Sequence, residues 1–191
     1  MTDLATLILQ CSMAVHPQTA QAVVQYESQG NQYALNTQVR SYYPRSREEA
    51  VARLGQALRA GLSTDIGLMQ VNSQWLRRLR IPADALLDPC TNIRVGTAIL
   101  SRDYAQAWAK YRAEKPALLT ALSLYNSGSE SRGLRNGYVS RVVALAGVPV
   151  RFTAGAERGA NHQPMLTSAS DPRTAPTGFS GTGPIAKTPA L

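Results

Sequence analysis

Glu27 is the residue of this chain best placed to move a proton. It sits in Tyr26-Glu27-Ser28-Gln29-Gly30-Asn31, where an apolar helix should end. Ala20, Val23 and Val24 recur upstream at helical spacing, Gly30 is a helix stop, and Asn31 is a turn former. That puts Glu27 on the last turn of a mostly buried helix, at the rim of whatever cavity the helix borders. A carboxyl among apolar neighbours is poorly solvated and tends to keep its proton. A general acid needs that property. The plain alternative is a solvated glutamate at a helix end. Two other stretches share the same texture of apolar helix meeting polar turn: Gly67-Leu68-Met69-Gln70-Val71-Asn72 and Tyr125-Asn126-Ser127-Gly128.

The elements that must hold these stretches can be read in order. Residues 3–13 form a short amphipathic helix with Leu4, Leu7 and Ile8 on one face. A second helix starts near His16-Pro17, with Pro17 suited to the first helical position, and runs to Glu27. Residues 31–45 read as loop. Ser46 and Glu49 fit a capping box for a helix through Ala50, Leu54 and Leu58 that stops at Gly61. A short helix through Trp75, Leu76 and Leu79 follows the glycine-punctuated stretch, with Asp65 as a cap for the segment it begins. Asp88-Pro89 opens a long helix towards Trp108, the candidate central buried helix. Pro116 opens the helix that ends at Tyr125-Asn126-Ser127-Gly128, and a last helix runs from Tyr138 to about Val150. Strand signals are poor throughout, so the expected fold class is all-α.

From Arg151 the texture changes. Ala, Thr, Pro, Gly and Ser fill 26 of the 41 positions in 151–191 and periodicity vanishes. Residues 1–150 are therefore read as one folded domain and 151–191 as a low-complexity, disordered tail.

Bulk properties narrow the function classes. The chain has 191 residues, 44% hydrophobic, with a net charge of +8. That length suits a single domain with a real core. The charge favours anionic partners such as nucleic acid, acidic membranes or the bacterial wall, without choosing among them. Arg77, Arg78 and Arg80 form the tightest basic cluster and read as a solvated helix face. No apolar run approaches the ~20 residues of a membrane span, and Leu4–Leu9 lacks the basic flank of an export signal. Cys11, Cys90, His16 and His162 show no metal-ligand spacing, so neither metal nor cofactor is expected. The two cysteines could be free thiols, or one disulfide in an oxidising compartment. As a disulfide they would add roughly 4 kcal/mol in the chain-entropy model.

Taken together, the three helix ends resemble the soluble lytic transglycosylase family, whose domain is related to goose-type lysozyme. The likeness is close to the small transglycosylases of bacterial type IV secretion systems. It rests on Glu27-Ser28 followed by Gly30-Asn31, on Gly67-Leu68-Met69-Gln70 with Asn72, on Asp88-Pro89-Cys90 with Asn92-Ile93, and on Tyr125-Asn126-Ser127-Gly128 followed by Gly137-Tyr138-Val139. Any one of these is weak; four in order are specific, and they span roughly residues 5–148. Val71-Asn72 departs from larger members, which place a Met-Pro turn there.

The resemblance implies a lysozyme-like helical domain with a cleft, and a role for each matching residue. Glu27 would be the catalytic acid and base. Ser28 would bond near it and to substrate, or else cap the helix. Gly67, Leu68, Met69 and Gln70 would shape the cleft floor, with Met69 on sugar or simply in the core. Tyr125 and Asn126 would lie beside the carboxyl, the tyrosine hydroxyl orienting it, and Tyr138 would close the cleft. Cys11 and Cys90 would pair as a disulfide, which fits a periplasmic location. The implied partners are peptidoglycan glycan strands and secretion-system assembly proteins, with no nucleic acid. The implied reaction breaks the β-1,4 bond between N-acetylmuramic acid and N-acetylglucosamine and leaves 1,6-anhydromuramoyl ends. The alternatives are a hydrolytic muramidase, which would need a second carboxylate, and a non-catalytic wall-binding assembly factor.

Overall fold

The computed structural model describes residues 3–147. The expected tail at 151–191 and the end of the last helix at Val150 lie outside that range.

Local signals set most helix boundaries. Helix α1 (Leu4–Cys11) is capped by Asp3, whose carboxylate accepts from the Thr6 amide. Helix α2 (Pro17–Ser28) begins at the expected proline and ends through Gln29 and Gly30, both left-handed. In α3 (Arg47–Arg59) the Ser46 hydroxyl accepts from the Glu49 amide. The Glu49 carboxylate reaches back to the Arg45 amide, so the capping box closes one residue earlier than its usual form. Asp88 caps the 23-residue α5 (Pro89–Tyr111) through the Thr91 amide. Helix α6 (Glu114–Ser127) starts two residues before Pro116 and stops at left-handed Gly128. Two short helices, α4 (Trp75–Leu79) and α7 (Arg132–Arg135), precede α8 (Tyr138–Leu145).

Helix α5 is the spine. It packs along α6 and against α1, and α2 packs against α8. Val23, Ile93, Ala121 and Val139 are wholly inaccessible and mark the core between these helices. A disulfide joins Cys11 to Cys90, with Cα atoms 5.3 Å apart, and ties α1 to the start of α5.

The helical expectation holds for the bulk of the fold, and a small sheet is added to it. Four short strands, β1 (Leu35–Thr37), β2 (Ser41–Tyr42), β3 (Thr64–Ile66) and β4 (Val71–Asn72), form an antiparallel sheet in the order β2-β1-β3-β4. Residues 31–45 therefore are not simply loop. Asp65 lies in the middle of β3 opposite Asn36 and Asn72, not at a helix cap. At two or three residues each, these strands are too short to display the alternation that marks a strand in sequence.

Candidate active site

Three chain segments meet around Glu27. The first is the end of α2 that carries it. Ala22, Val23 and Val24 are buried, while Glu27 itself is half-exposed, as a group that must reach both core and solvent should be. The Ser28 hydroxyl donates to the Val24 carbonyl and accepts from the Gly30 amide. It is buried and committed to ending the helix, which is the capping role rather than substrate contact.

The second segment is α8, which delivers Tyr138. Its hydroxyl donates to Glu27 Oε1 at 2.9 Å. Its ring meets Tyr26 edge to face, with centroids 4.9 Å apart, and Arg141 donates to the Tyr26 hydroxyl from the outside. Tyr138 is 1% exposed, so it supports the carboxyl from within rather than closing a cleft over it. Burial holds its hydroxyl well above the ordinary tyrosine range, with the Glu27 charge adding to the effect. The phenol thus stays a donor at any physiological pH. A short relay fixes this tyrosine. The Asn126 side-chain oxygen, on α6, accepts from the Asn136 side-chain amide, and the Asn136 side-chain oxygen accepts from the Tyr138 backbone amide. Gly137 between them takes φ 79°, a conformation that suits glycine.

The third segment is the β3–β4 turn, Gly67-Leu68-Met69-Gln70. Asn92, one turn into α5 and 1% exposed, clamps it. Its amide donates to the Ile66 and Leu86 carbonyls, each at 2.8 Å, and its oxygen accepts from the Met69 amide at 2.8 Å. Gly67 has φ 75°, and a Cβ there would collide with Asn92 and come within 2.7 Å of the Leu86 carbonyl. Gln70 donates to the Ala34 and Gly67 carbonyls, locking the turn to β1. Met69 is wholly buried over Gly96, where a Cβ would lie 2.6 Å from its sulfur. Its side chain is core packing and offers no surface to a sugar. Leu68 and Gln70 are likewise buried. Leu68, Met69 and Gln70 thus offer no side chain to solvent, and the turn is held through backbone and buried amides.

Tyr125 links this turn to Glu27, though not in the expected way. Its hydroxyl donates to the Met69 carbonyl at 2.8 Å. The hydroxyl that orients Glu27 therefore belongs to Tyr138, and Tyr125 pins the turn. Burial lifts the Tyr125 hydroxyl well above the usual range, and the charges of Glu27, Asp103 and Asp65 add to it in that order.

Asn92 and Asn136 are the positioning residues whose roles the sequence did not reveal. Asn92 sits inside a stretch that carried the resemblance, so its signal was its position in that motif; Asn136 lies just before another such stretch, at Gly137, and carried no signal of its own. The resulting arrangement is one half-exposed carboxyl, held by a buried neutral donor. It can give a proton to, and take one from, a group bound in front of it.

Comparison with known proteins agrees with this geometry. The model of the transglycosylase SLT domain matches residues 8–140. Protein virB1 of Agrobacterium fabrum is 33% identical over 139 residues, 72% of this chain and 56% of that protein. The chain thus spans little more than half of that relative's length. The type IV secretion system protein virB1 of Brucella abortus biovar 1 is 33% identical over 161 residues, 79% of this chain and 67% of its own. Invasion protein IagB of Salmonella typhimurium is 31% identical over 109 residues, 49% of this chain and 61% of that protein. No solved structure matches. With the domain covering most of the described residues, this chain belongs to the transglycosylase SLT family.

Proposed function

We propose that this chain is a peptidoglycan lytic transglycosylase with Glu27 as its single proton-transferring residue. The observation that carries the reading is the hydrogen bond from the buried Tyr138 hydroxyl to the half-exposed Glu27 carboxyl. Ordinary glycosidases pair one carboxyl that protonates the leaving oxygen with a second that acts as nucleophile or base. Here one group does both. Glu27 gives its proton to the oxygen of the β-1,4 bond between N-acetylmuramic acid and N-acetylglucosamine, and the bond from C1 to that oxygen breaks. The substrate's N-acetyl oxygen assists at C1. The C6 hydroxyl oxygen then bonds to C1 and returns its proton to Glu27, closing a 1,6-anhydro ring. Both reacting groups lie on one sugar, so ring closure has the large effective concentration of an intramolecular step. A rigidly held carboxyl suits this cycle because it must face first the leaving oxygen and then the C6 hydroxyl.

The setting follows from the same residues and from the relatives. Residues 1–150 form the catalytic domain, with 151–191 as an appended tail. The Cys11–Cys90 disulfide supports an oxidising compartment, here the periplasm. A net charge of +8 favours encounter with the anionic wall polymer. No described helix is long and apolar enough to cross a membrane. The virB1 relatives support a role in opening the wall for a type IV secretion system, together with its assembly proteins. Release of soluble muropeptides from purified peptidoglycan by the wild type and by Glu27→Gln tests the assignment. The wild type should release them, and the variant should be slower by about 100-fold or more. Equal release by both would point to a wall-binding factor instead.

A further inference from the structure

A pocket of about 190 Å³ opens between the α1–α2 linker and residues of α5 and α6. It is distinct from the site around Glu27. His16, which lines it, caps the start of α2, and Glu27 lies roughly 16 Å further along that helix at about 1.5 Å per residue. The linker is held in shape. The Met13 amide donates to the Thr97 hydroxyl of α5, and Ala14, at the pocket, takes a left-handed φ of 52°. A β-carbon makes that conformation costly, so the surrounding contacts fix this wall rather than the residue's own preference.

Apolar and polar groups share the lining. Leu100 and Leu118 supply aliphatic surface. Ser101, Tyr104 and Glu114 also line the pocket, and their side chains have no hydrogen-bond partner among the described residues. His16 Nδ1 accepts from the Gln18 amide, so the neutral ring carries its proton on Nε2 and can donate from there. A ring donor, a carboxylate acceptor and two hydroxyls thus accompany an apolar surface. The surface continues outward as an aromatic ledge. Trp108, one turn along α5 from Tyr104, stacks on it with ring centroids 6.1 Å apart and is 39% exposed.

This lining selects a ligand class. The pocket is smaller than the ~300–1,000 Å³ that hold drug-sized molecules, so it suits a single ring. A wholly apolar ring would leave the polar groups unused, and a simple ion would gain nothing from the leucines and the ledge. A pyranose uses both. Its C–H face is apolar and packs on aliphatic surface and on the electron-rich face of an aromatic ring. Its hydroxyl and N-acetyl groups exchange hydrogen bonds around the edge.

We propose that this pocket is a second glycan-binding site. It takes one N-acetylated sugar of a β-1,4-linked strand through Tyr104, Ser101, His16 and Glu114, with Trp108 under the neighbouring sugar. The choice of this glycan rests on the transglycosylase reading above. The site holds the protein on the wall polymer while Glu27 works on other sugars, because attachment at one site raises the effective concentration at the other.

The test titrates the β-1,4-linked tetramer of N-acetylglucosamine into the full chain carrying Glu27→Gln and follows the indole N–H resonances by NMR. The chain has two tryptophans, so Trp108 is assigned by the loss of its signal in Trp108→Phe. Trp108 should shift saturably. Ser101→Phe, which fills the pocket, should weaken that response at least about tenfold and lower retention on sedimented peptidoglycan. Maltotetraose, an α-linked tetramer without N-acetyl groups, should leave Trp108 unmoved. A Trp108 resonance that stays still, or that moves equally in Ser101→Phe or with maltotetraose, would overturn the proposal. If thermal unfolding shows that Ser101→Phe does not fold, Tyr104→Ala is read in the same way. Failure of the underlying reading looks different: the wild type would release no muropeptides, or Glu27→Gln would match it, whatever Trp108 does.

Discussion

At the scale of the residue, the account turns on which hydroxyl holds Glu27. Tyr125 and Tyr138 are both buried tyrosines in motifs of the family, and the resemblance implied the orienting role for Tyr125. The structure places the Tyr138 hydroxyl on the carboxyl and the Tyr125 hydroxyl on the Met69 carbonyl. The reason is tertiary: α8 packs on α2, while α6 faces the β3–β4 turn. Motif order cannot reveal such a pairing. Tyr138→Phe should therefore leave Glu27 mis-aimed but still able to reach water. We expect kcat to fall about tenfold, the worth of one hydrogen bond of about 1.4 kcal/mol, with KM little changed. Steady-state release of muropeptides measures this. Ser28 and Met69 make the complementary point. Both were legible as motif positions, and for both the plainer of the two readings holds, because each is buried and already occupied by backbone or core.

At the scale of the element, helix ends were legible and the sheet was not. Pro17, Ser46, Asp88 and Gly128 act within a few residues of themselves, so their signals are local and the helices start or stop where they say. The sheet is held together instead by the long-range pairing of β1 with β3, as of Leu35 with Ile66, and its two- and three-residue strands carry no period of their own. Asp65 was misread as a cap for that reason. The turn that the sheet presents depends on Asn92. Asn92→Ala removes the partners of the Met69 amide and of the Ile66 and Leu86 carbonyls, all in buried surroundings. At about 1–3 kcal/mol for each buried group left unsatisfied, the variant should lose about 3 kcal/mol or more in denaturant unfolding. Loss of less than about 1 kcal/mol would mean that water replaces the clamp.

At the scale of the whole molecule, two features tie stability to chemistry. The disulfide spans a sequence separation of 79 and staples the first helix to the spine. Replacing Cys11 and Cys90 by serine should lower stability by roughly 4 kcal/mol, measured under oxidising conditions. Wild type under reducing conditions should match the variant. The buried tyrosines set an alkaline limit. In the unfolded chain they ionise near pH 10, whereas in the folded protein Tyr125 and Tyr138 stay protonated well above it. The unfolded state then binds fewer protons, so stability is intact below about pH 10 and falls above it. Each tyrosine contributes up to about 1.4 kcal/mol per pH unit. Unfolding midpoints followed across that range should drop more gently in Tyr125→Phe and Tyr138→Phe than in the wild type. The position of Glu27 at a helix end was legible from the first motif, and the molecule around it supplies what the motif could not: a neutral donor behind the carboxyl.

The most direct measurement is mass spectrometry of the soluble products that the wild-type protein releases from purified peptidoglycan in isotopically heavy water. A single carboxyl that serves as acid and then as base predicts 1,6-anhydromuramoyl ends, one water lighter than hydrolysis products and free of the heavy oxygen, with release lost in Glu27→Gln. Reducing ends carrying the heavy isotope would contradict the account, since water, rather than the C6 hydroxyl, would then have completed the reaction.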